Sequence, residues 1–196
     1  MDPSASVSTS ILARLKVGEQ EAWSRAVCLF QPLVLIWCRQ AGLQEEDAAD
    51  VCQEVFRALA RNVERFDRDQ GRHSFRGWLR GITRKQLLAF WRRRGIPAEG
   101  GTTAHKRWAE VSEPLLDESS AAEASSERHE LLRRALGLIR NDVEERTWQA
   151  FWLVVVEGQA AGDVATALGI SLNSVYLAKG RLLRRLREEF CELIVE

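Results

Sequence analysis

The sequence predicts an all-α protein made of two small helical domains that are joined by a flexible acidic linker. Apolar residues recur at spacings of three and four along most of the 196 residues, and alternating strand-like runs are nearly absent. Residues 95–127 interrupt this pattern with a stretch rich in Ser, Glu, Ala and Gly that holds two of the four prolines, a composition typical of a linker. We therefore expect domains at residues 8–95 and 128–190, with the linker at residues 96–127.

The first domain opens with a predicted helix over residues 8–15 and a second helix from about Glu19. The apolar stripe of the second helix repeats at i, i+3, i+4 and i+7, which predicts burial of one side against a core. Pro32 fits either the first turn of a third helix or a kink in a longer one. Gly42 is expected to end this helical stretch.

The clearest amphipathic helix covers residues 47–62. One side carries an unbroken apolar face, formed by Ala48, Val51, Cys52, Val55, Phe56 and Leu59. The opposite side carries polar side chains at helical spacing, namely Asp50, Gln53, Glu54 and Arg57. Residues 65–73 follow as a polar loop.

A basic helix comes next, capped by Ser74 and running to about residue 94. Residues 72–94 carry eight Lys or Arg and no acid. Trp78, Phe90 and Trp91 interleave with these cations. Cations for phosphate together with aromatic rings for stacking are what unpaired nucleic acid requires. The same three rings also fit a hydrophobic core, and the sequence alone supports either role.

Helices resume near Arg128, and a helix over residues 144–157 leads into two short helices joined by a tight turn. The first short helix covers residues 161–168. Gly169 supplies the positive φ of a helix end, and Ser171 is expected to cap the second short helix. This arrangement is a candidate helix-turn-helix.

The second short helix presents an outward side of polar and cationic residues, which are Ser171, Asn173, Ser174, Tyr176, Lys179, Arg181 and Arg184. Arg185 and Arg187 continue the same basic run. A helix-turn-helix places the start of its second helix in the major groove of DNA and its flanking cations on phosphate. A hairpin packed in a core with a solvated charged tail is the competing interpretation. Gly180 weakens this helix by about 1 kcal/mol relative to alanine, which we interpret as room for another molecule to approach closely.

Composition favours an intracellular protein. The formal net charge is zero, yet residues 44–54 carry five acids and no base, so the charge is divided into blocks. Cys28, Cys38 and Cys52 sit among apolar helical positions, which predicts buried free thiols in a reducing compartment. The N-terminus lacks the pattern of a signal peptide, and the longest apolar run is too short for a membrane span. We expect a cytoplasmic protein without membrane insertion.

No set of catalytic residues emerges from the sequence. His73, His105 and His129 are scattered over loop and linker, and no phosphate-binding or nucleophile motif follows a strand. The acidic residues 45–54 lack converging histidines or a loop of oxygen ligands, so a solvated or partner-facing surface is the better interpretation. We therefore expect no enzymatic activity, no cofactor and no metal site.

Three segments of the first domain carry a family resemblance. Residues 50–56 read DVCQEVF, residues 65–66 read RF and residues 74–79 read SFRGWL. With Asp47 ahead of them, these segments resemble region two of bacterial RNA polymerase sigma factors. The C-terminal hairpin resembles region four, and no counterpart of the large region three lies between the two. The chain is thus similar to the compact extracytoplasmic-function (ECF) group of the sigma-70 family.

The resemblance implies a role for each surface. The residues that would bind the clamp helices of the largest catalytic subunit of core RNA polymerase are Asp50, Gln53, Glu54 and Arg57. The residues that would recognise and melt the minus-ten element are Asp67, Arg68, His73, Arg76, Trp78, Arg80, Arg84 and Lys85. The recognition helix, residues 172–185, would read the minus-thirty-five element through the outward residues from Ser171 to Arg184.

The implied function is that of a non-enzymatic subunit that carries core polymerase to promoters and helps to open them. Core RNA polymerase and promoter DNA are then its partners, and an anti-sigma factor is a further candidate. A helix-turn-helix regulator that does not engage polymerase is the alternative, and a sigma-like domain that sequesters a partner is a third. The polar face of residues 47–62 separates these hypotheses, because a plain DNA-binding regulator has no need of it.

Overall fold

The computed structural model describes residues 10–66, 74–94 and 121–194, with side chains omitted at residues 121–124 and 191–194. The helices are α1 (Ile11–Lys16), α2 (Gln20–Gln40), α3 (Glu45–Asn62), α4 (Phe75–Arg93), α5 (Ala121–Arg140), α6 (Glu145–Val155), α7 (Ala161–Leu168) and α8 (Leu172–Ile194), with one 3-10 turn at Val63–Arg65. All regular structure in these segments is helical, as predicted. None of these helices is long and apolar enough to cross a bilayer.

Side-chain caps and a glycine fix several helix ends where the sequence placed them. The Oγ atom of Ser74 accepts a hydrogen bond from the backbone N–H of Gly77 at 3.1 Å and caps α4. Ser171 caps α8 in the same way through the N–H of Ser174, also at 3.1 Å. Gly42 follows α2 with a φ of +82°, which glycine adopts without steric cost.

The first two helices settle what the sequence left open. α1 begins at Ile11, later than expected, because the Oγ atom of Ser10 accepts the N–H of Ala13 at 3.3 Å and thereby forms the cap. α2 runs without interruption through Pro32. Proline removes one backbone donor inside this helix, and burial of α2 side chains on both sides of it keeps the helix intact. Pro32 therefore lies within one long helix and does not start another.

The start of α5 corrects the predicted linker. α5 begins at Ala121, well before the expected start near Arg128. Residues 121–127 read AAEASSE, and alanine and glutamate favour the helix. Glu127 also accepts hydrogen bonds from side chains of α2 and α4, which hold this end of α5 in place. The rest of the expected linker, including a short helix around Trp108, lies outside the described residues.

Both halves of the chain contribute to one hydrophobic core. α2, α3 and α4 pack on one another and completely bury Phe30 and Phe75. α5, α6 and α8 add Leu131, Phe151 and Phe190 to the same core. A smaller core joins α6, α7 and α8 and consists of Ala150, Val164, Ala165, Val175 and Ala178. The C-terminal helices are thus packed onto the N-terminal ones.

A cluster of four charged side chains bridges the two halves. Arg25 on α2 is only 9% exposed and donates to Asp142 and, at 3.3 Å, to Glu189. Arg185 donates to the same two carboxylates at 2.5 Å and 2.7 Å. Burial acts to raise the pKa of Asp142, but the hydrogen bonds from Arg25 and Arg185 outweigh burial and hold this pKa below its usual value. We call these four residues the Arg25 cluster.

The cysteines fit the predicted buried thiols only in part. Burial raises the pKa of Cys38 to about 12, with a further contribution from the nearby Cys52, and raises that of Cys52 to about 11. Both thiols are therefore protonated at neutral pH. Cys28 is exposed, so the prediction of burial is wrong for this residue. Its side chain falls outside the inward stripe of α2, which uses Ala26 and Leu29 at this level.

The Arg25 cluster makes a stability prediction. Arg25→Met should lower the free energy of unfolding by about 2–3 kcal/mol, because it leaves two carboxylates short of a buried partner. This loss of stability is smaller than for a fully buried ion pair, because Arg185 still pairs with Asp142 and the side chain of Asp142 is 34% exposed. Urea unfolding followed by circular dichroism measures the change.

Arg39→Met is the matched control on the same helix. The Arg39 side chain is 54% exposed and its ion pair with Glu45 is long, at 3.9 Å, so its loss should cost under about 0.5 kcal/mol. Equal losses for the Arg25 and Arg39 variants would show that the cluster does not hold the two halves together.

Candidate functional site

The solvent side of α3 is a polar surface on a firmly packed helix. Its opposite side is buried at Ala48, Val51, Cys52, Val55 and Leu59, with Phe56 partly buried. Asp50, Gln53 and Arg57 are exposed, and Glu54 is partly buried. Arg57 donates to Glu54 at 2.5 Å and, more weakly, to Gln53 at 3.4 Å. The structure therefore brings the four residues of the predicted polymerase-binding set together on one side of α3.

The aromatic side chains of α4 pack into the core. The ring of Trp78 lies 4.8 Å from that of Phe66 and 5.7 Å from that of Phe75, and its side chain is partly buried. Phe90 is buried, and Trp91 makes an edge contact with it at 5.2 Å. Core packing thus accounts for all three rings of the interleaved pattern. The stacking role predicted for Trp78 stays a prediction for the exposed part of its ring.

Two arginines of α4 already contact groups within this chain. Arg76 donates to the Oε2 atom of Glu127 at 2.6 Å, and both side chains are largely buried. The guanidinium of Arg80 lies 5.7 Å from the ring centre of Trp37, within the range of a cation–π contact. These two residues of the predicted DNA-binding set therefore face α5 and α2 in this arrangement.

The rest of the predicted minus-ten set divides into described and undescribed residues. Arg84 is partly buried, and its Nε atom is buried without a hydrogen-bond partner in the described segments. Lys85 is exposed on the same helix. Asp67, Arg68 and His73 lie outside the described residues, so their predicted role depends on the sequence alone.

The turn between α7 and α8 has the predicted geometry. Gly169 adopts a φ of +62°, and its N–H donates to the carbonyl of Thr166 at 3.3 Å. The N–H of Ile170 donates to the carbonyl of Ala165 at 3.0 Å, which closes the end of α7. Val175 is completely buried in the smaller core and fixes the rotation of α8 about its axis. The helix-turn-helix is therefore a packed unit with a defined outer side.

The outer side of α8 carries the residues predicted to face DNA. Those that are exposed are Ser171, Asn173, Ser174, Tyr176, Arg181 and Arg184, whereas Lys179 is partly buried. Asn173 and Tyr176 are three residues apart and share one side of the helix. Leu172 and Leu177 are also exposed, at 47% and 48%. The sequence places Leu172 in the first turn of the predicted recognition helix. It does not single out Leu177, although the position of this residue outside the buried stripe of α8 signals its exposure.

Arg185 is a correction to the predicted basic run. Its guanidinium pairs with Asp142 and Glu189 and does not project outward with the other cations. Burial acts to lower the pKa of Arg185, but the hydrogen bond and charge of Glu189, together with Asp142, outweigh burial and raise it. Sequence reasoning also missed Arg25 and Glu127. Among these contacts, the sequence signals only the pairing of Arg185 with Glu189, because the two residues are four apart on one helix.

Comparisons with known proteins identify the family to which this chain is similar. A model of sigma-70 region 2 matches residues 28–96, the segment that holds α3 and α4. Proteins named ECF RNA polymerase sigma factor SigD, from Mycobacterium tuberculosis and Mycobacterium bovis, are 30% identical over 190 residues, covering 92% of this chain and 82% of theirs. A solved structure of CnrH in complex with the cytosolic domain of CnrY is 22% identical, covers 90% of this chain and 92% of that chain, and gives a TM-score of 0.37.

Two glycines allow a test of close approach to α8. Gly180 on α8 and Gly137 on α5 are exposed, and no neighbouring atom lies within 4 Å of the position that a Cβ would take. Gly180→Ala and Gly137→Ala should each raise the free energy of unfolding by up to about 1 kcal/mol. We expect Gly180→Ala alone to lower affinity for duplex DNA, because its added methyl group stands on the predicted recognition helix.

Urea unfolding measures the stability of each variant, and fluorescence anisotropy with a labelled duplex measures DNA affinity. Gly137→Ala is the control for a general effect of a more stable helix. Unchanged DNA affinity in the Gly180 variant, with the expected gain in stability, would show that Gly180 does not serve close approach.

Proposed function

This chain belongs to the ECF group of RNA polymerase sigma factors, and we propose that it joins core polymerase through α3, recognises promoters through α4 and α8, and helps to open them. Members of this group serve promoter-specific transcription initiation and are regulatory, non-enzymatic subunits. Core RNA polymerase and promoter DNA are the proposed partners. The observation that carries the proposal is the exposed polar side of α3 opposite its buried stripe.

The polar side of α3 suits a protein partner better than DNA. Asp50 and Glu54 are acidic and would repel phosphate, whereas they can pair with cationic side chains of another protein. Arg57 holds Glu54 and Gln53 in place, which reduces the ordering cost of binding. A helix-turn-helix regulator without polymerase contacts needs only its recognition helix. The α3 surface therefore favours a sigma factor over that alternative.

Promoter opening is proposed to depend on α4 and the loop before it. Bases that leave the duplex lose roughly a few kcal/mol of stacking and pairing free energy. Protein contacts to phosphate and stacking of the bases on aromatic rings must offset this loss. Lys85 is exposed and Arg84 is partly exposed on α4. Arg76, Arg80 and Trp78 are partly exposed on the same helix and complete the proposed surface. α4 is then the element that holds the unpaired strand.

Minus-thirty-five recognition is proposed to depend on the first turns of α8. Ser171 caps the helix, and the exposed Asn173 and Tyr176 follow on one side. The first turn of a recognition helix meets base edges in the major groove, and asparagine can bind adenine with two hydrogen bonds. We assign direct base readout to Asn173, and contacts to phosphate to Lys179, Arg181 and Arg184.

Transcription with core polymerase tests the proposal as a whole. The protein is mixed with core RNA polymerase and genomic fragments, and transcripts with defined start sites are scored. Transcripts that depend on the protein are expected. Binding to DNA fragments without any protein-dependent transcript would instead support the regulator.

The α3 surface gives the sharpest prediction for polymerase binding. Asp50→Lys combined with Glu54→Lys should weaken the complex with core polymerase at least about tenfold, because loss of a close interprotein charge pair costs over about 1.5 kcal/mol. Folding should be little affected, since surface changes usually cost under about 0.5 kcal/mol. A pull-down titration measures affinity, and circular dichroism verifies the fold.

Glu64→Lys is the control, because Glu64 is exposed in the turn that follows α3 and lies outside the proposed surface. It should bind core polymerase as the wild type does. Unchanged affinity of the Asp50 and Glu54 double variant, with its fold intact, would remove α3 as the binding surface.

Recognition of DNA sequence should separate from general affinity on α8. Asn173→Ala should cost about 1–3 kcal/mol on the preferred minus-thirty-five element and relax the preference at one base. Lys179→Ala should weaken binding to all sequences alike and reduce the slope of the salt dependence by about one unit. Competition binding against single-base variants of the element, at two salt concentrations, distinguishes these outcomes.

The two variants serve as controls for each other, since both residues lie on one helix and neither is in the core. A uniform loss with Asn173→Ala, together with a changed base preference in Lys179→Ala, would reverse the assignment of roles.

A further inference from the structure

Helices α3 and α4 form a hairpin whose two ends are held in different ways. The chain itself joins the end of α3 to the start of α4, beginning with the 3-10 turn at Val63–Arg65. At the other end, the Oδ1 atom of Asp47 accepts a hydrogen bond from the Nη2 atom of Arg94 at 2.6 Å. In the described part of the chain this is the one ion pair that joins α3 to the end of α4. The pair therefore closes the open end of the hairpin.

Local chemistry favours each member of this pair at its position. Asp47 lies in the first turn of α3, and Arg94 directly follows the last turn of α4. Negative charge is favourable at the start of a helix and positive charge at its end. The guanidinium of Arg94 also lies 4.6 Å from the ring centre of Phe90, within the range of a cation–π contact. A carboxylate of α3 and a ring of α4 thus hold the same cation.

The pair can orient α4 although it contributes little to global stability. The side chain of Arg94 is 54% exposed and that of Asp47 is 22% exposed, and ion pairs this accessible are weak. Buried side chains such as Leu87 hold α4 on the core. Because the chain does not tether the last turns of α4 to α3, a polar contact at this end restricts their tilt.

We propose that Asp47 is a positioning residue for promoter opening, which fixes the end of α4 relative to polymerase-bound α3 by holding Arg94. The inference rests on the proposed roles of α3 in polymerase binding and of α4 in holding the unpaired strand. Lys85 is exposed on the same helix, so a tilt of α4 displaces a cation of the proposed DNA surface. Preorganised contacts lower the ordering cost of binding, and Asp47 thereby favours the open complex without contacting DNA.

Asp47→Asn and Arg94→Gln test the inference with core RNA polymerase and a promoter fragment that gives a protein-dependent transcript. Permanganate reactivity of unpaired thymines measures the ratio of open to closed complex. Each change should lower this ratio about threefold to fivefold, the range that loss of one exposed ion pair allows. Affinity for core polymerase and the midpoint of urea unfolding should match the wild type. A loss of polymerase affinity as large as the loss of opening would make Asp47 a polymerase contact and would overturn the inference.

A double-mutant cycle separates positioning from direct contact with DNA. In the Asp47→Asn background, Arg94→Gln should cause no further loss of opening, because Asp47 no longer holds the cation. A full further loss would show that Arg94 contacts DNA by itself and would contradict the proposal. Glu46→Gln is the matched control, because it removes one exposed negative charge from the same turn of α3. A loss of opening equal to that of Asp47→Asn would make general electrostatics the cause.

Hydrogen exchange on the free full-length chain gives a readout without polymerase. Amides of residues 88–94 should exchange about threefold faster in either single variant, and no faster still in the double variant, because the pair restrains the last turns of α4. Glu46→Gln should exchange as the wild type does. Unchanged exchange in both single variants would overturn the inference, whatever the promoter assay gives. If the wild type opens no promoter with polymerase, the proposed function fails, and the exchange measurement still decides whether Asp47 restrains α4.

Discussion

The guanidinium of Arg25 is the constraint on which the arrangement of the two halves depends. Arg25 is only 9% exposed. It needs anionic partners, because burial of an unpaired charge costs roughly several kcal/mol. α2 offers Glu21 within one helical turn, but the remaining partners come from the far half of the chain. Asp142 lies in the turn between α5 and α6, and Glu189 lies near the end of α8. Satisfying Arg25 therefore brings the C-terminal helices onto α2.

This packing gives α8 two different environments along its length. Its first turns belong to the helix-turn-helix, where Val175 and Ala178 are buried in the smaller core and the opposite side is exposed. Its later turns place Leu182 and Phe190 in the core that both halves share. One long helix thus carries the proposed recognition surface at one end and anchors the C-terminal half at the other. Movement of that half must carry the recognition surface with it.

The distribution of charged side chains explains why a chain with zero net charge is compatible with the proposed DNA-binding role. Acidic and basic blocks lie apart in sequence, but the fold pairs some of them with each other. Arg76 pairs with Glu127 and Arg185 with Glu189, whereas Arg181 and Arg184 remain exposed on α8. The acidic side of α3 stays exposed as well. The surfaces that we propose for a protein partner and for nucleic acid therefore include side chains that internal pairing has left exposed.

The sequence by itself determined the helices, the turn and the four polar residues of α3, because these depend on local patterns. Apolar periodicity placed α3 and α4, and the serine caps and Gly169 marked helix ends through short-range backbone chemistry. The family resemblance rested on motifs of the same short range.

Only the tertiary structure decided which side chains stay available to a partner. It placed Trp78, Phe90 and Trp91 against the core, exposed Cys28, and carried helix α5 into the expected linker. It also withdrew Arg185 from the basic run. Arg25 meets partners that lie 117 and 164 residues away along the chain. Ion pairing depends on distance in space, and no local pattern of sequence encodes a distance between residues so far apart.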